Sequence, residues 1–271
     1  MASNQVAVKA VVVDWAGTIV DHGSRAPTEA FCEIFRRSQV SITADEARGP
    51  MGREKRDHIM ALLAAPRIAE AWRSVHHRAA TDEDVDKLYQ DFLPVQKALL
   101  ASHADVIPGA LAALAYCRER GLRIGSSSGY AAPLMQELVS LARAADLHVD
   151  AVVSASEVPA GRPAPWMIFA NMQRLGVYPP AAVVTVDDTD VGIAAGINAG
   201  TWTIGVVESG NLFGLSAREL AELDVVERWR RFAVGREAML AAGAHYAVAS
   251  VAELPRVLEE IGRRLSSGER P

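Results

Sequence analysis

At 271 residues the chain is long enough for one large domain or for two smaller ones that share a cleft. With 50% hydrophobic and 23% charged residues it is neither a disordered nor a fibrous chain. A net charge of −5 excludes bulk attraction to nucleic acid or an anionic membrane, and the two cysteines, Cys32 and Cys117, make no disulfide framework. The N-terminal residues lack a basic segment followed by an apolar signal core, and no apolar run is long enough to span a bilayer. The expected location is cytoplasmic, with no membrane or nucleic-acid partner.

Residues 6–13 are apolar and β-branched apart from alanine and Lys9, which predicts a strand buried on both faces, as in a parallel sheet. From about residue 26 to 102 the spacing turns helical, clearest over 29–35 and 58–63. Thr43 and Glu46 have capping-box spacing, Pro66 marks a helix boundary and Pro94 a kink. No strand pattern interrupts this stretch. Alternation resumes after His103: a helix over 108–120 closed by Gly121, a strand over 122–126, a helix over 132–145 and a strand over 150–154. A helix over 166–175, a strand over 182–186, a helix over 191–199 and a strand over 201–207 follow. Ser216 and Glu219 form a second capping box, a strand over 246–249 and a helix over 250–265 close the pattern, and 266–271 read as frayed. The fold class is α/β: a Rossmann-like doubly wound parallel sheet core from 1–22 and 104–271, with an inserted all-helical cap domain over 23–103. Hinges near 22–26 and 102–108 would let the cap act as a lid.

Ligands of open α/β sheets bind beyond the carboxyl ends of the strands. Four polar clusters fall there: Asp14; Ser127-Ser128-Gly129-Tyr130; Gly161-Arg162-Pro163; and Asp187-Asp188-Thr189-Asp190. Each alone reads equally as a cap, a turn or a solvated loop. Together at one sheet edge they point to phosphoryl chemistry. Asp14 and Asp188 can hold Mg2+, which prefers oxygen ligands. Ser128 and Arg162 can donate to phosphoryl oxygens, and main-chain amides from Trp15 to Gly17 can extend an anion cradle.

Asp14-Trp15-Ala16-Gly17-Thr18, Ser128, Arg162 and Asp188 resemble the four motifs of the haloacid dehalogenase superfamily, and the helical insertion resembles its cap. Over almost the whole chain the closer resemblance is to the phosphonatases, the C–P-cleaving branch. It is carried by Glu46-Ala-Arg-Gly-Pro-Met51-Gly52, by Lys55 with Asp57-His58, by residues 125–130, by Val158-Pro-Ala-Gly-Arg162-Pro with Pro165-Trp166-Met167, and by residues 198–206. The resemblance implies Mg2+ held by Asp14, Asp188 and the Ala16 carbonyl. It implies phosphate binding by Gly17, Ser128, Gly129 and Arg162, and a cleft shaped by Met51, His58 and Tyr130. It also implies phosphonoacetaldehyde as substrate and a homodimer through the cap.

Superfamily phosphatases place a second Asp two residues after the nucleophile, as the acid that protonates a leaving oxygen. Here that position is Ala16. The vacancy makes sense if the leaving atom is carbon, whose electron pair can pass into a protonated imine, and lysine forms such imines. Lys55, one of four lysines, is the candidate. A lysine near about 10.4 is unreactive at neutral pH. Arg53, Arg56, a helix N-terminus and desolvation on cap closure would each lower it. His58, three residues on, would share its helix face and shuttle protons. The fourth motif departs from Gly-Asp-x-x-x-Asp: its second Asp is replaced by Gly192, leaving Asp187 or Asp190 to support the metal. Ser24 stands where some relatives have cysteine. The rival readings are a Mg2+-dependent phosphatase acting on a metabolite ester, and a silent module that binds a phosphorylated ligand.

Overall fold

The protein is described by a computed structural model covering residues 7–271. The first predicted strand is β1 (Ala10–Val13), buried along its whole length, and Val6 lies outside the described residues. The next strand is β2 (Arg123–Ser128). Between them run α1 (Arg25–Arg37), α2 (Ala44–Arg48), α3 (Lys55–Ala64), α4 (Pro66–His76) and α5 (Asp82–His103). The Thr43–Glu46 capping box forms, each residue's side chain accepting the other's main-chain N–H. Pro66 opens α4, where a helix needs no donor, while α5 continues through Pro94. These helices bury a core of their own, built on Phe31, Phe35, Ile59, Trp72, Leu88 and Phe92. The insertion therefore packs on itself as a cap.

The sheet is completed by β3 (Ala151–Ser154), β4 (Val183–Asp187), β5 (Trp202–Val206) and β6 (Tyr246–Val248), in the order β3-β2-β1-β4-β5-β6 with every neighbour parallel. The intervening helices are α6 (Ala110–Glu119), α7 (Ala132–Ala144), α8 (Trp166–Leu175) and α9 (Asp190–Ala199), then α10 (Ala217–Glu222), α11 (Val225–Ala241) and α12 (Leu254–Ser266). Val11, Val13 and Val184 pack with Leu114, Leu138 and Ile261 on one face. Val12 and Val183 pack with Ile168, Met172 and Ala195 on the other. The winding reverses between β1 and β4, which opens the crevice where such sheets hold ligands. Val13 is in register with Val186, so Asp14 and Asp187 leave the sheet side by side.

Two strands run further than the sequence predicts. β2 includes Ser127 and Ser128, because Ser126 to Ser128 pair with Val152 to Ser154 and the small hydroxyls are buried without loss: Ser126 Oγ donates to Ala151 O at 3.1 Å. β4 includes Asp187. Helix α11 was not predicted; only Gly235 and Met239 of its 17 residues are buried, so it carries little apolar periodicity. The C-terminal residues are tied back, with Glu269 bonded to Arg264 through main chain and side chain.

β2 is held in place by Asn171 of α8, fully buried. Its Nδ2 donates to Ser126 O at 2.9 Å and its Oδ1 accepts from Ser126 N at 3.2 Å. Asn171→Leu removes both side-chain bonds to Ser126, whose main-chain groups also belong to the ladder with β3, and is expected to lower the unfolding free energy by about 1–3 kcal/mol. Urea denaturation against the parent checks it; an unchanged midpoint would show that the amide does not carry the strand.

Candidate active site

Asp14 follows β1 with its N–H donated to Val186 O at 2.9 Å, so the sheet itself aims the carboxylate. Arg162 reaches it from the loop after β3. One guanidinium nitrogen, Nη2, lies 2.7 Å from Asp14 Oδ1, 2.9 Å from Asp187 Oδ2, 3.0 Å from Ser127 Oγ and 3.1 Å from Ser127 O. Ser128 sits at the end of β2, its Oγ accepting from Tyr130 N at 3.1 Å. Asp188 accepts from Asn211 N at 2.7 Å.

The cap closes over this edge. Lys55 is the first residue of α3, at the helix N-terminus, and is buried against core residues. Its Nζ lies 5.2 Å from the Tyr130 ring centroid and 5.7 Å from that of Phe31. Asp14, Ala16, Met51, Lys55, Ser128, Gly129, Tyr130, Arg162 and Asp188 all line one cavity of about 20 Å³, together with Ser24, Pro27, Gly52 and Thr189. Glycines let the two modules approach. A Cβ on Gly52 would stand 2.4 Å from Thr189 Oγ1, and one on Gly129 would stand 2.8 Å from Arg53 O.

Two predicted residues stand outside the cavity lining. The Gly17 N–H is already donated to Val20 O and Asp21 O, so it is not a free donor for an anion cradle. Gly17 instead makes room, since a Cβ there would lie 2.1 Å from Asp188 Oδ2. His58 is packed behind the cavity wall, stacked on Phe31 with ring centroids 3.8 Å apart. Its Nε2 donates to Ala47 O at 2.9 Å, and its Nδ1 has no partner among the described residues. Burial, then nearby Lys55, holds its pKa well below the usual value, so the ring is neutral.

Burial also pushes Lys55 down, to about 8, against the attraction of Asp14 and with help from Arg162. The helping cation is therefore not Arg53 or Arg56 as the sequence led us to expect: both point away, and Arg56 pairs with Asp86 at 2.8 Å. Tyr130 is raised well above its usual range by burial and stays a phenol.

Oxygens of Asp14, Asp187 and Asp188 lie within 4.8 Å of one another, all buried. Burial, then the other two carboxylates, raises Asp188 well above the ordinary range. Asp187 is raised by burial and relieved by Arg162. Three buried carboxylates facing one guanidinium leave an excess of negative charge on hard oxygen donors, a set that fits Mg2+. Of the two acids left open by the sequence, Asp187 belongs to this group. Asp190 turns outward at the start of α9 and accepts from Val191 N. Sequence reasoning also missed Thr189, whose N–H and hydroxyl both donate to Asp187 Oδ1.

Residues 8–200 match the family model for haloacid dehalogenase-like hydrolases. The chain is 47% identical to phosphonoacetaldehyde hydrolase of Paraburkholderia phytofirmans, over 97% of this chain and 99% of that one. It is 45% identical to the enzyme of that name from Syntrophobacter fumaroxidans, over 97% and 95%. A crystal structure of a phosphonoacetaldehyde hydrolase-like protein from Oleispira antarctica superposes with a TM-score of 0.96 at 37% identity, covering 97% and 96% of the two chains. The chain belongs to the haloacid dehalogenase-like hydrolases, in the phosphonoacetaldehyde hydrolase family. The inserted helices of this hydrolase are the family's cap, and its six-stranded sheet is the family's core.

The low Lys55 pKa has a sign that stability measurements can read. Below about 8 the lysine of this hydrolase is protonated both folded and unfolded, and the buried charge is at its most unfavourable. Between about 8 and the ordinary 10.5 the folded chain has shed a proton that the unfolded chain still holds, so stability rises with pH. The stability advantage of Lys55→Met over the parent, measured by denaturation with divalent metal chelated, should therefore shrink from pH 8 to pH 10. A pH-independent difference would show that the amine is not shifted.

Proposed function

We propose that this hydrolase cleaves the C–P bond of phosphonoacetaldehyde to give acetaldehyde and phosphate, with Lys55 as the amine and Asp14 as the nucleophile. The observation that carries the reading is a buried lysine with a pKa of about 8 in the same cavity as Asp14. Ala16, not an acid, lines the cavity where an oxygen leaving group would need a proton.

Neutral Lys55 Nζ adds to the aldehyde carbon, and uptake of one proton from solvent with loss of water leaves a protonated imine. A carboxylate oxygen of Asp14 attacks phosphorus. The P–C bond breaks, and its electron pair passes into the C=N⁺ group to form an enamine. Water then hydrolyses the aspartyl phosphate, releasing phosphate and restoring the Asp14 carboxylate. The enamine takes a proton on carbon, and hydrolysis of the imine releases acetaldehyde and free Lys55. Arg162 and Ser128 hold phosphonyl oxygens, and the anchored guanidinium also orients Asp14. Met51 and Tyr130 shape the cleft around the aldehyde carbons. His58 is neutral and behind the cavity wall, so the proton transfers of imine formation assigned to it would pass from its unpaired Nδ1 through a bridging water to Lys55 Nζ. Asp14 and Asp188, with the Ala16 carbonyl, would hold Mg2+, and Asp187 stands beside them. When bound, the ion supplies positive charge that lowers repulsion between the Asp14 carboxylate and the phosphonate.

A cavity of about 20 Å³ admits little more than one water, so substrate entry requires the cap to open. Closure returns Lys55 to the buried state that depresses its pKa, which makes the amine reactive only over bound substrate. The proposal includes a cytoplasmic homodimer that contacts through the cap. No helix among the described residues is long and apolar enough to cross a membrane.

Borohydride added during turnover should reduce the imine and leave an ethyl or phosphonoethyl group on Lys55, located by peptide mass spectrometry. Lys55→Arg should lose at least about a thousandfold in kcat/KM, roughly 4 kcal/mol of transition-state stabilisation. If no adduct forms and simple phosphate esters are turned over equally by parent and variant, the protein is a phosphatase instead.

A further inference from the structure

We infer that Asn211 and Arg48 are positioning residues that tie the placement of Asp188 to closure of the cap. The inference rests on the metal reading given under Proposed function, but not on the imine.

Asn211 bonds in two directions. Its main-chain N–H donates to Asp188 Oδ2 at 2.7 Å, and its side-chain Nδ2 donates to the main-chain oxygen of Arg48, the last residue of α2 in the cap, at 3.2 Å. Its Oδ1 is buried without a partner among the described residues, so the bond to Arg48 is the one that fixes the amide. The Arg48 side chain grips the same core loop three residues on. Nη2 donates to Gly214 O at 2.9 Å, while Nη1 donates to Gly23 O at 2.9 Å and Thr28 Oγ1 at 3.1 Å on the hinge side. One cap residue therefore holds the loop at 211 with its main chain and at 214 with its guanidinium.

The loop is stiff enough to transmit this. Gly214 N donates back to Gly210 O at 3.1 Å, and Gly23 N and Gly17 O bond Ser209 O and Ser209 Oγ at 2.7 and 3.0 Å. Contacts that only glycine permits hold it at both ends: a Cβ on Gly210 would stand 2.5 Å from Asp188 Cβ, and one on Gly214 would stand 2.4 Å from Arg48 Cζ. Asp188 has no cation within ion-pair distance among the described residues. The hydrogen bond from Asn211 is thus a main determinant of where its carboxylate lies.

Six residues separate Arg48 from Lys55, and Gly52 in the segment between them lies against Thr189, the donor to Asp187. Moving the cap to expose Lys55 must pull Arg48 from the 211–214 loop. Opening then relaxes Asp188 at the moment the cavity is exposed, and closing sets the carboxylate and the lysine together. By linkage the effect is reciprocal: an ion on Asp188 must favour the closed cap to the same extent that closure favours the ion.

The test uses full-length protein and Mg2+ alone, without substrate. Mg2+ affinity is read by titration calorimetry, and cap opening by hydrogen exchange over residues 44–55 with and without Mg2+. In the parent, Mg2+ should slow exchange in that segment. Asn211→Ala should weaken Mg2+ at least about fivefold and abolish the slowing. Arg48→Lys, which keeps the charge but cannot span Gly23 O and Gly214 O, should fall between, and it gives the same readings if the first variant does not fold. Mg2+ binding and slowing that are unchanged in the variants overturn the coupling and leave the metal reading intact. A parent that binds no Mg2+ overturns both, and the imine assignment is then still open to its own test.

Discussion

A single guanidinium holds this site together. Arg162 is buried, which disfavours its charge, yet Asp187 and Asp14 keep it firmly protonated. In return it allows two carboxylates to sit side by side at the ends of β1 and β4, where the parallel register forces them together. Without that cation the two acids would repel in a medium that screens little, and one would take up a proton. Ser127 completes the arrangement from β2, accepting from the same nitrogen with its hydroxyl and its carbonyl. Three strands and the loop after a fourth therefore meet at one nitrogen atom. The geometry of Asp14 follows from the sheet order, not from local chain preference.

Two carboxylates that the superfamily pattern would place here are absent, and the structure gives the absences different meanings. At Ala16 nothing replaces the acid: the residue lines the cavity with a methyl group. At Gly192 the space is taken. A Cβ there would lie 2.0 Å from Asp187 Cγ and about as close to both its oxygens, so the Asp187 carboxylate folds into the volume a side chain at 192 would need. The second vacancy keeps the number of acids near the sheet edge, while the first removes a proton donor. Only the first changes the chemistry that the site can perform.

Much of this was legible in the sequence, because the strongest signals were short-range. Asp14 follows an apolar run, the capping boxes at Thr43 and Ser216 mark helix starts, and the loss of strand texture between residues 26 and 102 marks the cap. What could not be read depends on direction. Ser127 and Ser128 look like a turn until the pairing with β3 carries the strand through them. Asp187 and Asp190 are equivalent as letters, and only the end of β4 and the start of α9 send one inward and the other to solvent. Arg53 and Arg56 are neighbours of Lys55 in sequence yet face away from it, whereas Arg162, more than a hundred residues on, faces it. Helix α11 lacks a strong apolar stripe because so little of it is covered.

The same contrast explains why Lys55 needs a separate module. A lysine fixed permanently in the core next to Asp14 would exclude the substrate it must meet. On α3 it enters with the cap, and burial outweighs the attraction of Asp14. The wall it enters against is aromatic and neutral: the Phe31 ring, the Tyr130 phenol and, behind them, an uncharged His58. None of these offers a negative charge to restore the ammonium. The polar work is thus divided by module, with the acids and the Arg162 guanidinium at the sheet edge and a depressed amine in an apolar lid. Joining them only on closure lets opposite requirements, a charged floor and an uncharged ceiling, coexist in one small cavity.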